Sequence, residues 1–190
     1  ALVSIRIFFD GAAALSVLTD SHFFGGHLDF IQQVKTAVDL PVVRKDFIIS
    51  KYQVWESFHA GSDAILLIAD AIDFCLLSAL YNLASELGMH VLIETHNLEH
   101  LDNIASLNPQ IVGINCRNLQ TMETDLSWFE SVYSKLPADC VKVAESGIKT
   151  NDDINNISYL GYDAVLVGTS LMKTGAPGTA LAELLQRVPA

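Results

Sequence analysis

The sequence predicts an α/β fold in which one parallel sheet curls into a β/α barrel of the TIM type. Three observations carry that expectation. Seven short runs rich in Val, Ile, Leu and Ala recur along the 190 residues. Stretches with helical spacing lie between them. Most of the apolar runs end in polar or ionisable residues.

The runs are AALSVLTD (13–20), PVVRKDF (41–47), AILLIAD (64–70), HVLIETH (90–96), IVGINCRN (111–118), CVKVAESG (140–147) and AVLVGTS (164–170). Near-continuous apolar runs suit parallel strands covered on both faces. Between them, LDFIQQVKTAV places Leu28, Ile31, Val34 and Val38 at helical spacing. FCLLSALYNLASELG is apolar nearly all round and stops at Gly88, a helix-ending residue. NLEHLDNIASL and NDDINNISYLG each open with Asn, which is expected as the N-cap. The alternation repeats every ~20 to 30 residues, the spacing of βα units. No linker divides it, so residues 1–190 are read as one domain, with 1–10 atypical.

A doubly wound sheet would gather its polar strand ends near one switch point. Here they occur on nearly every strand: Thr19 and Asp20, Lys45, Asp70, Glu94, Asn115 and Arg117, Glu145 and Ser146, Gly168 and Thr169. A barrel brings all its strand C-termini to one mouth. No GxGxxG follows the first run, which also speaks against the open alternative.

Composition narrows the function. Apolar residues make up 51% and charged residues 17%, enough to bury a core. The net charge of −11 and the lack of any basic run make the chain a poor general binder of nucleic acid. Runs such as AILLIA are far too short to span a bilayer. Cys75, Cys116 and Cys140 are scattered, as expected of free thiols in a reducing compartment, and a cytoplasmic location follows. The six histidines lack the pairing of a zinc site, so no metal is expected. Ser146 is not in a GxSxG elbow.

Side chains alternate along a strand. Lys45 therefore shares a face with Val43 and Phe47, while Arg44 and Asp46 point toward the helix layer. Two readings fit Lys45, a solvated strand-end charge or a group set into the mouth; the apolar residues of its own face favour the second. Glu94 shares its face with Leu92 and His96, and is either a carboxylate bonded to the next strand or a base tuned by Lys45 and burial. Asn115 and Arg117 are in phase with Gly113, which leaves space, and Glu145 is in phase with Val141 and Val143. ESGI and VGTS end two consecutive strands with Gly beside Ser or Thr. Such turns let backbone N–H groups approach an anion, and barrels bind phosphate after their last two strands. Ordinary turn glycines are the alternative.

GAAALSVLTD, FFGGHLDFI, LPVVRKDFIISKYQVWES, AGSDAILLIA, LGMHVLIETH, IVGINCRNLQTMETDL, VKVAESGI and DAVLVGTSLM together resemble the indole-3-glycerol-phosphate synthase family of tryptophan biosynthesis. The resemblance runs from about Gly11 to about Met172, and RKDFI and GINCRNL are its most specific motifs. It implies an eight-stranded barrel that closes a ring on 1-(2-carboxyphenylamino)-1-deoxyribulose 5-phosphate with loss of carbon dioxide and water, without cofactor or metal. It also implies a small phosphorylated anthranilate derivative as partner; with composition arguing against nucleic acid and membrane, monomer and homodimer both stay open. Carried over by position, Lys45 resembles the general acid, Glu94 the base or proton partner, and Asn115 and Arg117 the polar wall that orients them. Glu145 resembles a glutamate near the substrate hydroxyls. Ser146, Gly147, Gly168 and Thr169 resemble the phosphate cradle. Phe24, Phe47, Leu66 and Ile68 are expected to line the anthranilate pocket. A sugar-phosphate isomerase on the same fold would share the last two strand ends but not RKDFI with GINCRNL.

One part of the family pattern is not found. The family's first strand carries an E-x-K-x-x-S-P motif with a glutamate, a second catalytic lysine and a serine, and ALVSIRIFFD (1–10) does not match it. Only seven strands are counted, where a closed barrel has eight. Three readings stay open: segments missing from the written sequence, a real truncation, or a replacement strand over residues 2–9. A chain lacking the strand is expected to keep the fold and ligand site, with its turnover in question.

Overall fold

The computed structural model describes residues 11–118 and 121–186. Its strands are β1 (Leu15–Leu18), β2 (Val42–Lys45), β3 (Ala64–Ile68), β4 (His90–Thr95), β5 (Ile111–Asn115), β6 (Val141–Glu145) and β7 (Ala164–Leu166). All pair in parallel, each with its neighbour in chain order, and the sheet curls as part of a barrel. Among the described residues β1 and β7 are the sheet's edges. The replacement strand considered for residues 2–9 lies outside the described residues.

The helices are α1 (Asp29–Ala37), α2 (Lys51–His59), α3 (Phe74–Glu86), α4 (Leu101–Ser106), α5 (Ser127–Tyr133), α6 (Asn151–Leu160), α7 (Thr169–Met172) and α8 (Pro177–Leu184). Short 3₁₀ turns at Ala69–Ala71 and Leu98–His100 follow β3 and β4.

The two-residue period of the strands sorts their apolar side chains into two cores. Ile65, Leu67, Val91, Ile93, Val112, Ile114 and Ala144 point outward and pack on Leu77, Leu80, Ile104, Phe129, Val132 and Ile157 of the helices. The alternate residues Leu66, Leu92 and Val143 meet on the concave side, with Ile68, Ile111 and Leu166 against them. Covering on both faces is what the unbroken apolar runs require.

Helix α3 ends as expected, with Gly88 just beyond it at φ +80°, a conformation that costs glycine least. Asn97 caps the turn Leu98–His100 through its side chain. The expectation for Asn151 is corrected. Thr150 is the N-cap of α6, and it forms a reciprocal capping box with Asp153 while Asn151 starts the helix. A threonine one position earlier competes for the same role, and the aspartate three residues on decides it.

Candidate active site

Arg44, Lys45 and Asp46 separate by face, as the alternation requires. Arg44 is buried against α2. Its Nε donates to the Thr19 hydroxyl at 3.0 Å, and its Nη1 donates to the Gln53 carbonyl at 3.1 Å and the Ser57 hydroxyl at 3.0 Å. Its Nη2 meets Asp46 Oδ2 at 3.0 Å and Glu56 Oε2 at 2.7 Å. Asp46 also accepts from the Thr19 hydroxyl. This network ties the end of β2 to α2 and to the end of β1. Thr19 thus serves the scaffold.

Lys45 turns the other way, into the mouth. Its Nζ lies 3.1 Å from Glu94 Oε2 and 3.8 Å from Glu145 Oε2. Asn115 donates from Nδ2 to Glu94 Oε1 at 2.9 Å and takes the Arg117 backbone N–H on Oδ1 at 3.0 Å. Strands β2, β4, β5 and β6 therefore each contribute one polar side chain to a single cluster.

The register explains why they meet. Glu94 pairs with Ile68 on one side and Gly113 on the other, and Asn115 pairs with Glu145. Gly113 is the missing wall between the two glutamates: a Cβ built there would stand 2.1 Å from Glu145 Oε1. The absent side chain lets the Glu145 carboxylate cross β5 toward Lys45.

The two glutamates are buried side by side yet differ in charge preference. Burial works to raise the pKa of Glu94, but the Lys45 ammonium, then the Asn115 amide, Glu145 and His96, hold it below the usual carboxylate range. Burial and then the neighbouring Glu94 charge push Glu145 well above that range. Glu145 Oε1 has no hydrogen-bond partner among the described residues. The surroundings thus drive the two carboxylates apart, Glu94 toward its charged form beside the ammonium and Glu145 toward its protonated form. Two titratable groups driven apart by their surroundings are a common basis for acid–base work.

The remaining expected residues fall at graded distances from this cluster. Phe47 follows β2 and Phe24 follows β1, both at C-terminal strand ends, with ring centroids 6.3 Å apart and both exposed. Phe23, which the sequence reading passed over, joins them at 6.0 Å from Phe47. Leu66 is packed in the layer below the mouth, beside Leu92, and is buried; Ile68 stands level with Glu94. Arg117 spends one guanidinium N–H on the Met122 carbonyl of its own loop at 3.1 Å.

Ser146 and Gly147 both adopt positive φ, +73° and +74°. Around Gly147 an added Cβ would meet Leu126, Cys116 and Thr124 at 2.9 to 3.2 Å, so the turn requires glycine. Gly168 and Thr169 open α7 with clear space over Gly168. The Ser170 hydroxyl donates to the Ile148 carbonyl at 2.9 Å, which joins the loops after β6 and β7. Asp70 and His96 were visible only as polar strand ends. His96 sits against Glu94, with Nε2 3.5 Å from Glu94 Oε1, and Asp70 lies on its other side, with Oδ2 3.5 Å from Nδ1.

A curled parallel sheet with ionisable groups at the C-terminal ends of its strands is the design of a β/α-barrel protein with its site at that mouth. Solved structures share the fold. 3-Hexulose-6-phosphate synthase from Salmonella typhimurium matches with a TM-score of 0.76 at 14% identity, over 98% of this chain and 92% of that one. Orotidine 5′-phosphate decarboxylase from Pyrococcus horikoshii OT3 matches with a TM-score of 0.75 at 11% identity, over 98% and 93%. The sequence is more particular. The family model described as indole-3-glycerol phosphate synthase matches residues 6–184. Curated proteins of that name are 44% identical in Albidiferax ferrireducens, over 92% of this chain and 66% of that one, and 42% identical in Halalkalibacterium halodurans, over 94% and 70%. The chain belongs to the indole-3-glycerol phosphate synthase family. It spans about two thirds of the length of these relatives.

Proposed function

We propose that this chain, as one β/α domain in the cytoplasm, acts as the carbon–carbon lyase of its family. It would convert 1-(2-carboxyphenylamino)-1-deoxyribulose 5-phosphate to indole-3-glycerol phosphate, carbon dioxide and water. The observation that carries this reading is the Lys45–Glu94 contact of 3.1 Å at the mouth, held on the far side by Asn115.

The chemistry asks for proton transfer and no nucleophile. Ring closure and loss of a hydroxyl as water need a donor beside the leaving oxygen, the role given to Lys45. Removal of a proton needs a base, the role given to Glu94. Water must be kept out so that these exchanges stay within the site. Glu145, biased toward its protonated form by burial, would donate a hydrogen bond to a substrate hydroxyl. The turns at Ser146–Gly147 and Gly168–Thr169 would take the phosphate on backbone N–H groups. Phe24, Phe47 and Ile68 would cover the aromatic ring, with Leu66 as support beneath and Arg117 steadying the loop beyond β5. The substrate is a small anion, and no nucleic-acid partner is proposed. No helix among the described residues is long and apolar enough to cross a membrane.

The test is incubation of the full chain with the anthranilate–ribulose phosphate, following indole fluorescence, with a parallel equilibrium titration of the same ligand. Product formation supports the assignment. Absence of product over hours at micromolar protein overturns it, and binding without product would leave only a ligand site.

A further inference from the structure

Lys45 and Glu94 leave one buried group at the mouth without a task. His96 directly follows β4, and its side chain is only 14% exposed. Its ring lies between two carboxylates, Glu94 on the Nε2 side and Asp70 on the Nδ1 side, each at 3.5 Å, and neither buried ring nitrogen has a hydrogen-bond partner among the described residues. Asp70 belongs to the turn Ala69–Ala71 after β3, and the His96 backbone N–H anchors its Oδ2 at 2.9 Å. A neutral imidazole has one N–H to give and one lone pair. Between two acceptors, it must therefore turn a lone pair toward one of them.

The surroundings decide which. Burial opposes the Asp70 charge, but the His96 ring, the His96 backbone N–H and the Thr95 hydroxyl hold its carboxyl below the usual range. Asp70, fixed beside the ring by the His96 backbone N–H, is the acceptor better placed for a hydrogen on Nδ1. Glu94 Oε1 already receives the Asn115 amide at 2.9 Å, so it can tolerate the bare Nε2 opposite. The other charged groups facing this array are Lys45 from β2 and Glu145 from β6 on the Glu94 side. On the Asp70 side, His100 from the turn after β4 places Nε2 3.8 Å from Asp70 Oδ1.

Resting on the function proposed above, we propose that His96, oriented by Asp70, is the group with which Glu94 exchanges its proton during turnover. One carboxylate can then serve as base and later as acid within a single cycle. When Glu94 has taken a proton, its O–H bond breaks and an N–H bond forms on His96 Nε2. The carboxylate recovers its negative charge, and the new imidazolium gives one N–H to each flanking carboxylate. The return transfer reverses these changes, and no electrons are gained or lost. Asp70 is a positioning residue in this scheme, and His96 acts through Glu94.

Two measurements decide it. Nitrogen-15 NMR of the histidine side chains in the full chain, with His96→Gln used to assign the signal, reads the tautomer without any turnover. The neutral ring should carry its hydrogen on Nδ1, and Asp70→Asn should move it to Nε2. Hydrogen on Nε2 in the unsubstituted chain would overturn the proposal. In the indole assay, His96→Ala should lower kcat about tenfold or more with KM little changed, and free imidazole should restore part of the loss. A kcat within about twofold of the parent, or a loss confined to KM, would also overturn it. If the parent chain forms no indole product, the proposed function fails by itself, and the NMR result alone decides the His96 arrangement.

Discussion

Arg44 and Lys45 are neighbours on one strand and occupy opposite kinds of site. A guanidinium has five N–H donors. Arg44 directs them at Thr19, Gln53, Ser57, Asp46 and Glu56, and is itself buried. Nothing in that network is left to bind a ligand. Lys45 has an ammonium between two glutamates, a side chain 27% exposed, and an unpartnered carboxylate oxygen close by. Saturation marks the first region as scaffold and incompleteness marks the second as a place for chemistry. Charge type alone would not separate them.

The comparison can be broken in several ways. The largest effect is expected from Glu94→Gln, which keeps the shape and removes the base. Indole formation should fall by about 10²–10⁴ in a chain that still unfolds cooperatively. Arg44→Ala should do the opposite. It strands Asp46 and Glu56, and the unfolding free energy from urea titration should drop by about 3 kcal/mol. Gly113→Ala probes the border between the two kinds of effect. Its Cβ must displace the Glu145 carboxylate, at a cost of about 1–3 kcal/mol by overpacking, and activity should fall with it.

The smallest effect concerns pH. The folded pKa of Glu94 is depressed, so its contribution to stability is present above the unfolded value and is lost as pH falls through the folded one. The folded pKa of Glu145 is raised, so its contribution is complete below the unfolded value and is lost as pH rises through the folded one. Denaturation of Glu145→Gln from acid to alkaline pH should therefore show the variant gaining on the parent as pH rises. Parallel curves would mean that Glu145 titrates normally.

The strands were legible because burial on both faces writes unbroken apolar runs, and all seven runs contain a strand of the structure. Helices α2, α5, α7 and α8 are not among the helical stretches legible in the sequence. In α2 the aromatic residues Tyr52, Trp55 and Phe58 are exposed, while the buried positions are Val54 and Ser57, so its hydrophobic pattern does not point to its packed face. Helix α5 spans seven residues, too few for a period to stand out. Within the site, strand parity was enough to turn Lys45, Glu94, Asn115 and Glu145 inward. It could not set depth, which is why Leu66 was grouped with residues of the mouth although it packs one layer below. Nor could it pair Asp70 with His96, since that contact depends on the register of β3 against β4. In hindsight, the shared polar ends of adjacent parallel strands were the available signal.

The central claim is that Lys45, 3.1 Å from Glu94, is the proton donor of the site. The direct measurement is the rate of indole formation by Lys45→Ala, taken together with its unfolding free energy. The expected result is a rate lower by about 10²–10⁴ in a chain that remains folded, with a cooperative urea transition. An unchanged rate, or a loss explained by an unfolded chain, would contradict it.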